Sequence, residues 1–124
     1  MQHACGVFTS NTSRTVFLNG GNSATNTNTI APSGVNAIDI GFRPNAGVAG
    51  LLFDGKLAEV GIWNTALTAA EIASLAKGMT CDKIRPQNLV FYAPLVRDIA
   101  DQKGGLTITN NNGATVANHP RVYA

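Results

Sequence analysis

The sequence predicts an all-β protein, an antiparallel β-sandwich with one short helix. Short segments in which apolar and polar residues alternate recur along the chain, and clusters of Gly, Asn, Ser and Pro separate them, as in strands joined by turns. Only residues 68–78 show the periodicity of a helix. Many short strands with a single helix indicate an antiparallel sandwich.

Nine segments are predicted as strands, at residues 4–9, 14–19, 23–30, 36–42, 51–53, 56–63, 89–96, 106–109 and 114–117. The first two flank a polar four-residue connection that suits a hairpin. Residues 23–30 alternate Thr with Asn, which predicts a polar edge strand. In residues 56–63 the alternation places Val60 and Ile62 on a core-facing side and Glu59 on the solvent side.

The helix is predicted from its start signal and its apolar stripe. Thr68-Ala69-Ala70-Glu71 has the form of a capping box, in which the Thr hydroxyl and the Glu carboxylate satisfy backbone N–H groups reciprocally. Ile72, Leu75 and Met79 follow on one face, and Gly78 ends the helix. A helix of about ten residues is unstable alone in water, so we expect it to pack against the sheets.

Composition narrows the classes of partner. The 124 residues suit a single domain over residues 1–124, and the nine basic residues are scattered without a run, so we expect no nucleic-acid partner. No apolar run approaches the ~20 residues of a membrane-spanning helix, and residues 1–6 lack the basic and apolar regions of a signal peptide.

Cys5 and Cys81 are predicted to be free thiols, with a bridge between them as the alternative.

Residues 53–72 resemble the signature of laminin-G-like and pentraxin-like domains. They contain an aromatic-Asp-Gly turn, an alternating strand, a Trp-Asn end and a capped helix. These domains belong to the jelly-roll sandwiches of the concanavalin A-like lectin/glucanase superfamily. Residues 14–20 and the Ile40-Gly41 pair resemble further parts of the domain in the family's order. Residues 84–95 with His119-Pro120-Arg121 are similar to a tail attached to such domains in phage-like or mobile-element proteins.

The resemblance implies an incomplete sandwich. In the complete family domain the strand that resembles Val7-Phe8 lies near the middle, so residues 1–124 are expected to be one laminin-G-like domain truncated on its N-terminal side, with residues 84–124 as C-terminal extension strands. Half a sandwich leaves apolar side chains and strand edges uncovered. We therefore expect a homo-oligomer, most simply a two-fold dimer. A monomer closed by a hairpin over residues 106–117 is the alternative.

Three functions from different classes are compatible with the resemblance. The first is a noncatalytic binding or structural module, with glycan binding or a place on a virion surface as its specific forms. The second is an oligomeric assembly protein from a mobile or truncated gene with no ligand of its own. The third is a remnant of a glycoside hydrolase. The family's behaviour implies an extracellular or virion-associated location.

The acidic residues do not predict an enzyme. Glycoside hydrolases use two carboxylates about 5 to 10 Å apart, whereas Asp54 and Glu59 are separated by an odd number of positions and a Gly turn, so they would not share a strand face. Glu71 is assigned to the capping box, and His3 and His119 lie at opposite ends of the chain. No catalytic residue and no resident cofactor are therefore expected.

Two candidate sites remain. Trp63 is a candidate platform for a sugar ring, against the alternative that it packs at the strand end and covers the base of the helix. Asp98 and Asp101 are candidate ligands for Ca²⁺, because hard cations bind loop carboxylates and carbonyls. Both aspartates also suit ordinary turns.

Overall fold

A computed structural model describes residues 2–35, 37–45, 48–96, 98–111 and 113–118. Over these ranges the chain forms seven β-strands, one α-helix and one 3₁₀ turn. They are β1 Ala4–Ser10, β2 Ser13–Leu18, β3 Asn22–Asn26, β4 Phe42–Asn45, β5 Val48–Leu52, β6 Val60–Trp63, α1 Ala69–Ala76, the 3₁₀ turn Cys81–Lys83 and β7 Leu89–Ala93. No helix within the described ranges is both long and apolar enough to cross a membrane.

The strands form antiparallel sheets, as the sequence predicts. One sheet has the order β1-β2-β3, while β4 pairs with β5 and β6 pairs with β7. The predicted first hairpin is confirmed, with Cys5 opposite Phe17 and a register shift between Phe8 and Ser10. β3 is a polar edge strand whose residues are all exposed. This architecture confirms the predicted fold class, an incomplete antiparallel sandwich.

The capping box at the start of α1 is confirmed. The Glu71 N–H donates to Thr68 Oγ1 at 3.3 Å, and the Thr68 N–H donates to Glu71 Oε1 at 2.9 Å. The second oxygen of Glu71 accepts a bond from Arg85 Nε at 2.7 Å, which ties the helix start to the chain before β7. The Arg85 hydrogen bond, followed by the bonds from Thr68, lowers the pKa of Glu71.

The core lies between α1, the 3₁₀ turn and β7, and half-buried side chains of β1 and β2 cover it. Its buried cluster consists of Leu67, Ile72, Leu75, Cys81, Ile84, Leu89 and Tyr92. Cys5, Val7 and Phe17 pack against this cluster from the first sheet. α1 also approaches the turn after β2, where Gly20 has a φ of 80° and a Cβ would lie 2.9 Å from Ala76 Cβ. Glycine is required there because a side chain would be strained in that conformation and would collide with the helix.

Two predicted strand regions are wrong. Residues 37–41 form no strand, and Ile38 is half exposed. β4 begins only at Phe42, the last residue of the predicted strand, and continues through Pro44. Asn36 lies outside the described residues. Gly41 adopts a φ of 72°, a left-handed conformation that interrupts an extended strand, so the alternating residues before it do not continue into β4.

The predicted C-terminal strands at residues 106–109 and 114–117 are also wrong. No strand is assigned to the described parts of these segments; Ala117 makes only an isolated parallel bridge with Val96. The predicted reversal is present, but a side chain closes it: Asn110 Oδ1 accepts from the Ala114 N–H at 2.9 Å, and Asn110 Nδ2 donates to the Ala114 carbonyl at 2.7 Å. Leu106 remains 55% exposed.

The predicted orientation of Glu59 is wrong as well. Glu59 is half-buried with a φ of 57°, in the left-handed region that a non-glycine residue seldom occupies. This conformation interrupts the strand alternation immediately before β6. As a result Trp63, rather than Val60 or Ile62, packs against the buried cluster.

Candidate functional site

A cleft of about 800 Å³ lies between β1 and β6. Residues 2–9 form one wall and residues 57–67 form the other, with Leu75 and Cys81 also lining it. We call this space the β1–β6 cleft. Each of these strands pairs with a neighbour only on its other side among the described residues, so the cleft separates two strand edges.

The β1 wall directs backbone groups into the cleft. The His3 carbonyl accepts from the Asn19 N–H at 2.8 Å, so the odd-numbered residues of β1 form the ladder with β2. Because successive residues of an antiparallel strand direct their N–H and C=O to opposite edges, those of Ala4, Gly6 and Phe8 face the cleft. Within the described part of the chain, these groups meet only a long contact, from Cys5 Sγ to the Gly6 carbonyl at 4.0 Å.

On the β6 wall, Gly61 directs its backbone N–H and C=O into the cleft. Tyr92 of β7 uses its backbone outside the β6–β7 ladder: its N–H donates to Asp101 Oδ1 at 3.0 Å and its carbonyl accepts from the Gln102 N–H at 2.7 Å. The ladder therefore runs through the residues on either side of Tyr92. Gly61, which lies opposite Tyr92, accordingly directs its N–H and C=O away from β7 into the cleft.

A hydrogen-bonded cluster around Glu59 forms part of the cleft wall. Glu59 Oε1 accepts from the Tyr92 hydroxyl at 3.1 Å, Glu59 Oε2 accepts from the Cys81 N–H at 3.0 Å, and the Glu59 carbonyl accepts from Cys81 Sγ at 3.4 Å. Burial, followed by the negative charge of Glu59, raises the pKa of Cys81 to about 12. Burial and then Glu59 also raise the pKa of Tyr92. Both groups therefore stay protonated and act as donors at neutral pH.

Both cysteines line the cleft, and both are free thiols, as the sequence predicts. Burial raises the pKa of Cys5 above its ordinary value. Because the thiolate is the reactive form of cysteine, neither side chain is poised as a nucleophile. Cys5 packs against the core cluster, whereas Cys81 belongs to that cluster and also donates to the Glu59 carbonyl.

His3 lies at one end of the cleft with an unsatisfied polar atom. Its Nδ1 is buried and has no hydrogen-bond partner among the described residues. Burial lowers the pKa of His3, which favours the neutral imidazole. A buried polar nitrogen without a hydrogen-bond partner costs free energy, so a polar group entering the cleft beside His3 would be stabilising.

Trp63 lies within the cleft wall and is half-buried. Its indole Nε1–H donates to the Ile84 carbonyl at 2.7 Å, and its ring packs against the buried cluster. A Cβ at Gly61 would lie 2.8 Å from the Trp63 ring, so the ring fills the space that this glycine leaves. These contacts favour the packing role for Trp63, and ligand binding by this residue stays a prediction.

The two predicted calcium ligands differ in their surroundings. Asp98 is exposed. The Asp101 carboxylate accepts the backbone N–H groups of Tyr92, Lys103, Gly104 and Leu106 at 2.9 to 3.1 Å. These bonds give Asp101 a structural role, because its carboxylate holds the loop that follows it against β7. No group of three His, Cys, Asp or Glu side chains in the described ranges is placed to hold a metal ion, and calcium binding stays a prediction.

Large apolar side chains on the outward face of the first sheet remain exposed. Phe8 is 75% exposed, Val16 61% and Leu18 42%. On β6, β7 and the residues after β7, Phe91 is buried, while Val60, Ile62 and Leu95 are half-buried. Sequence reasoning thus predicted uncovered apolar side chains, but it missed the cleft and the Glu59 cluster. The signal it lacked was the irregular backbone at Glu59, which alternation does not reveal.

A laminin-G family model, described as the concanavalin A-like lectin/glucanases superfamily, matches residues 1–73. The match runs from β1 into α1 and includes both walls of the cleft. No curated protein and no solved structure matches the chain at a significant level. The family match covers more than half of the 124 residues, and the chain therefore belongs to the concanavalin A-like lectin/glucanases superfamily.

Proposed function

We propose that this chain is a noncatalytic assembly module that completes its β-sandwich with a strand from a second copy of itself. The observation that carries the proposal is the β1–β6 cleft, which is bounded on both sides by strand edges. Open strand edges pair readily with other chains. The simplest assembly is a two-fold dimer, in which each copy both gives and receives a strand.

The polarity of the cleft supports a polypeptide occupant. Its lining residues are largely apolar or small and include a single carboxylate, that of Glu59. Backbone N–H and C=O groups face the space from Gly6 on one side and Gly61 on the other. An extended chain satisfies such groups on both of its edges at once, and its side chains cover the apolar walls.

The same arrangement supports a noncatalytic role. Membership in a superfamily of lectin-type domains favours a binding module, and glycoside hydrolysis requires a pair of carboxylates. Within the lining described here, the carboxylate oxygens of Glu59 already accept bonds from Tyr92 and Cys81. We expect no release of sugar from β-glucans in a turnover assay. Hydrolysis that disappears in Glu59→Gln or Asp54→Asn, with folding intact, would contradict a noncatalytic role.

Solution molar mass tests the assembly proposal. Light scattering over a micromolar concentration series should give at least twice the 12.9 kDa of one chain. A stable monomer throughout the series contradicts assembly. A glycan array run in parallel tests the lectin-like role implied by the family: a monomer that binds a defined glycan would replace the assembly proposal with a glycan-binding one. An extracellular or virion-associated location remains part of the proposal under either role.

A further inference from the structure

We propose that residues 106–110 of one copy, the donor segment, occupy the β1–β6 cleft of another copy as an added strand. The inference rests on the proposed function and identifies the strand that completes the sandwich. It follows from the dimensions of the cleft, the chemistry of its walls and the unpaired state of the donor segment.

The dimensions agree with a single short strand. The β1 wall contains a strand of seven residues, Ala4–Ser10, and the β6 wall one of four, Val60–Trp63. A strand added between them can pair with both walls over about four to five residues. The donor segment has that length.

The chemistry of the donor segment matches that of the cleft. The sequence Leu-Thr-Ile-Thr-Asn carries no charge, and its apolar residues Leu106 and Ile108 alternate with Thr107 and Thr109. One face of such a strand would pack against the core side of the cleft, where Cys5 and Trp63 lie. Its backbone would pair with the N–H and C=O groups of Gly6 and Gly61.

The donor segment has the composition of a strand but lacks a strand's partners. β-branched residues make up three of its five positions, and such residues favour strands. In the single chain it forms no ladder, Leu106 is 55% exposed and Ile108 is half-buried. Alternation predicts a strand that the isolated chain does not form, which is the result expected when the pairing partner belongs to another copy.

Residues 101–105, which we call the Asp101 loop, keep the donor segment outside the cleft of its own chain. Asp101 Oδ2 accepts the Leu106 N–H at 2.9 Å, and Gly104 packs directly against the Val90 carbonyl, so this loop lies on the edge of β7 opposite β6. From there to the β1–β6 cleft is three strand spacings, or about 14 Å. Leu106 cannot cross that distance while Asp101 holds it. A second copy presents its cleft without that restriction.

Disulfide trapping tests the inference in the full-length chain. One chain carries Cys81→Ala and keeps Cys5 in its cleft; the other carries Cys5→Ala, Cys81→Ala and Ile108→Cys. After the two are refolded together and oxidised with diamide, mass spectrometry should find Cys5 joined to the cysteine introduced at position 108. The matched control replaces Ile108→Cys with Leu51→Cys, on the 58% exposed Leu51 of β5.

The docked segment raises the effective thiol concentration, so trapping should be roughly a hundredfold faster than in the control. Trapping no faster than the control overturns the inference. Light scattering on the same mixtures separates the two failures: a dimer that does not trap leaves the proposed function standing, whereas a monomer contradicts both.

A peptide provides a second measurement that needs no change in the protein. A synthetic peptide of residues 105–111 should bind the unmodified chain and convert its oligomer to a lower molar mass by displacing the donor segment. The same peptide with Ile108→Lys should do neither, because the Lys side chain would lose its hydration against the apolar core side of the cleft, where Cys5 and Trp63 lie, at large cost. Equal behaviour of the two peptides contradicts the inference.

Discussion

The Tyr92 hydroxyl of β7 donates a hydrogen bond to Glu59 Oε1 at 3.1 Å. The other oxygen of the same carboxylate accepts the N–H of Cys81 at 3.0 Å. Glu59 thereby joins the start of β6 to β7 and to the 3₁₀ turn, beneath one wall of the β1–β6 cleft. The left-handed backbone of Glu59 is held in place by these contacts, since such conformations persist only where the surrounding structure over-determines them.

Tyr92→Phe should lower the free energy of unfolding by about 1 to 3 kcal/mol, because it leaves a partly buried carboxylate oxygen without this donor. Urea denaturation monitored by circular dichroism measures the change. Thr15→Val is the matched control, since it removes the exposed hydroxyl contact between Thr15 and Thr25 at 2.9 Å and should change stability much less. An equal loss in both variants would mean that the Glu59 cluster has no special structural role.

Thr68→Ala should cost roughly 1 kcal/mol through loss of the N-cap of α1. Thr68→Ser keeps the hydroxyl that accepts from the Glu71 N–H and should retain most of the stability. Thermal unfolding of the two variants measures the difference. Identical melting temperatures would show that the cap does not contribute.

Leu75→Ala should destabilise the protein by about 2 to 5 kcal/mol, because it removes a buried side chain and leaves a cavity. Leu75 is 7% exposed and packs in the core cluster, whereas Leu51 is 58% exposed. Leu51→Ala is therefore the control and should have little effect. A small loss for Leu75→Ala would mean that α1 does not pack on the sheets as described.

The Asp101 loop should make stability depend on pH in the acid range. Burial alone raises the pKa of Asp101, but the four backbone N–H bonds outweigh it and hold the pKa well below its usual range. The folded-state pKa of Asp101 lies below the unfolded value of about 3.9. The stability that its ionised carboxylate contributes is therefore fully present above about pH 4 and is lost as the pH falls toward the folded-state pKa.

Unfolding measured between neutral and strongly acidic pH should therefore show a loss of stability below about pH 4 that is reduced in Asp101→Asn. The exposed Asp54 provides the control: Asp54→Asn should keep the acid dependence of the original chain. If Asp101→Asn loses as much stability below about pH 4 as the original chain, Asp101 is not the source of the acid dependence.

The elements that sequence predicted well are those with local signals. The capping box of α1 lies within four consecutive residues, and the β1–β2 hairpin has its turn residues between two alternating segments. The resemblance in residues 53–72 and the family match agree on the superfamily. In each case the information lies close together along the chain.

The features that sequence missed depend on distant contacts. Glu59 departs from alternation because its carboxylate meets Tyr92, 33 positions away. The segment at residues 106–109 has strand composition but lacks a ladder, since composition does not supply a neighbouring edge. The cleft likewise results from the placement of β1 beside β6, which neither strand's own sequence specifies.

The most direct test of strand completion is amide hydrogen exchange along β1 in the native assembly. The Cys5 and Val7 N–H groups bond to β2 and serve as internal references, while those of Gly6 and Phe8 face the β1–β6 cleft. If a strand from another copy fills the cleft, Gly6 and Phe8 should be protected to a degree similar to Cys5 and Val7, and the protection should fall on dilution to monomer. Rapid exchange of Gly6 and Phe8 at every concentration, beside protected Cys5 and Val7, would contradict the account.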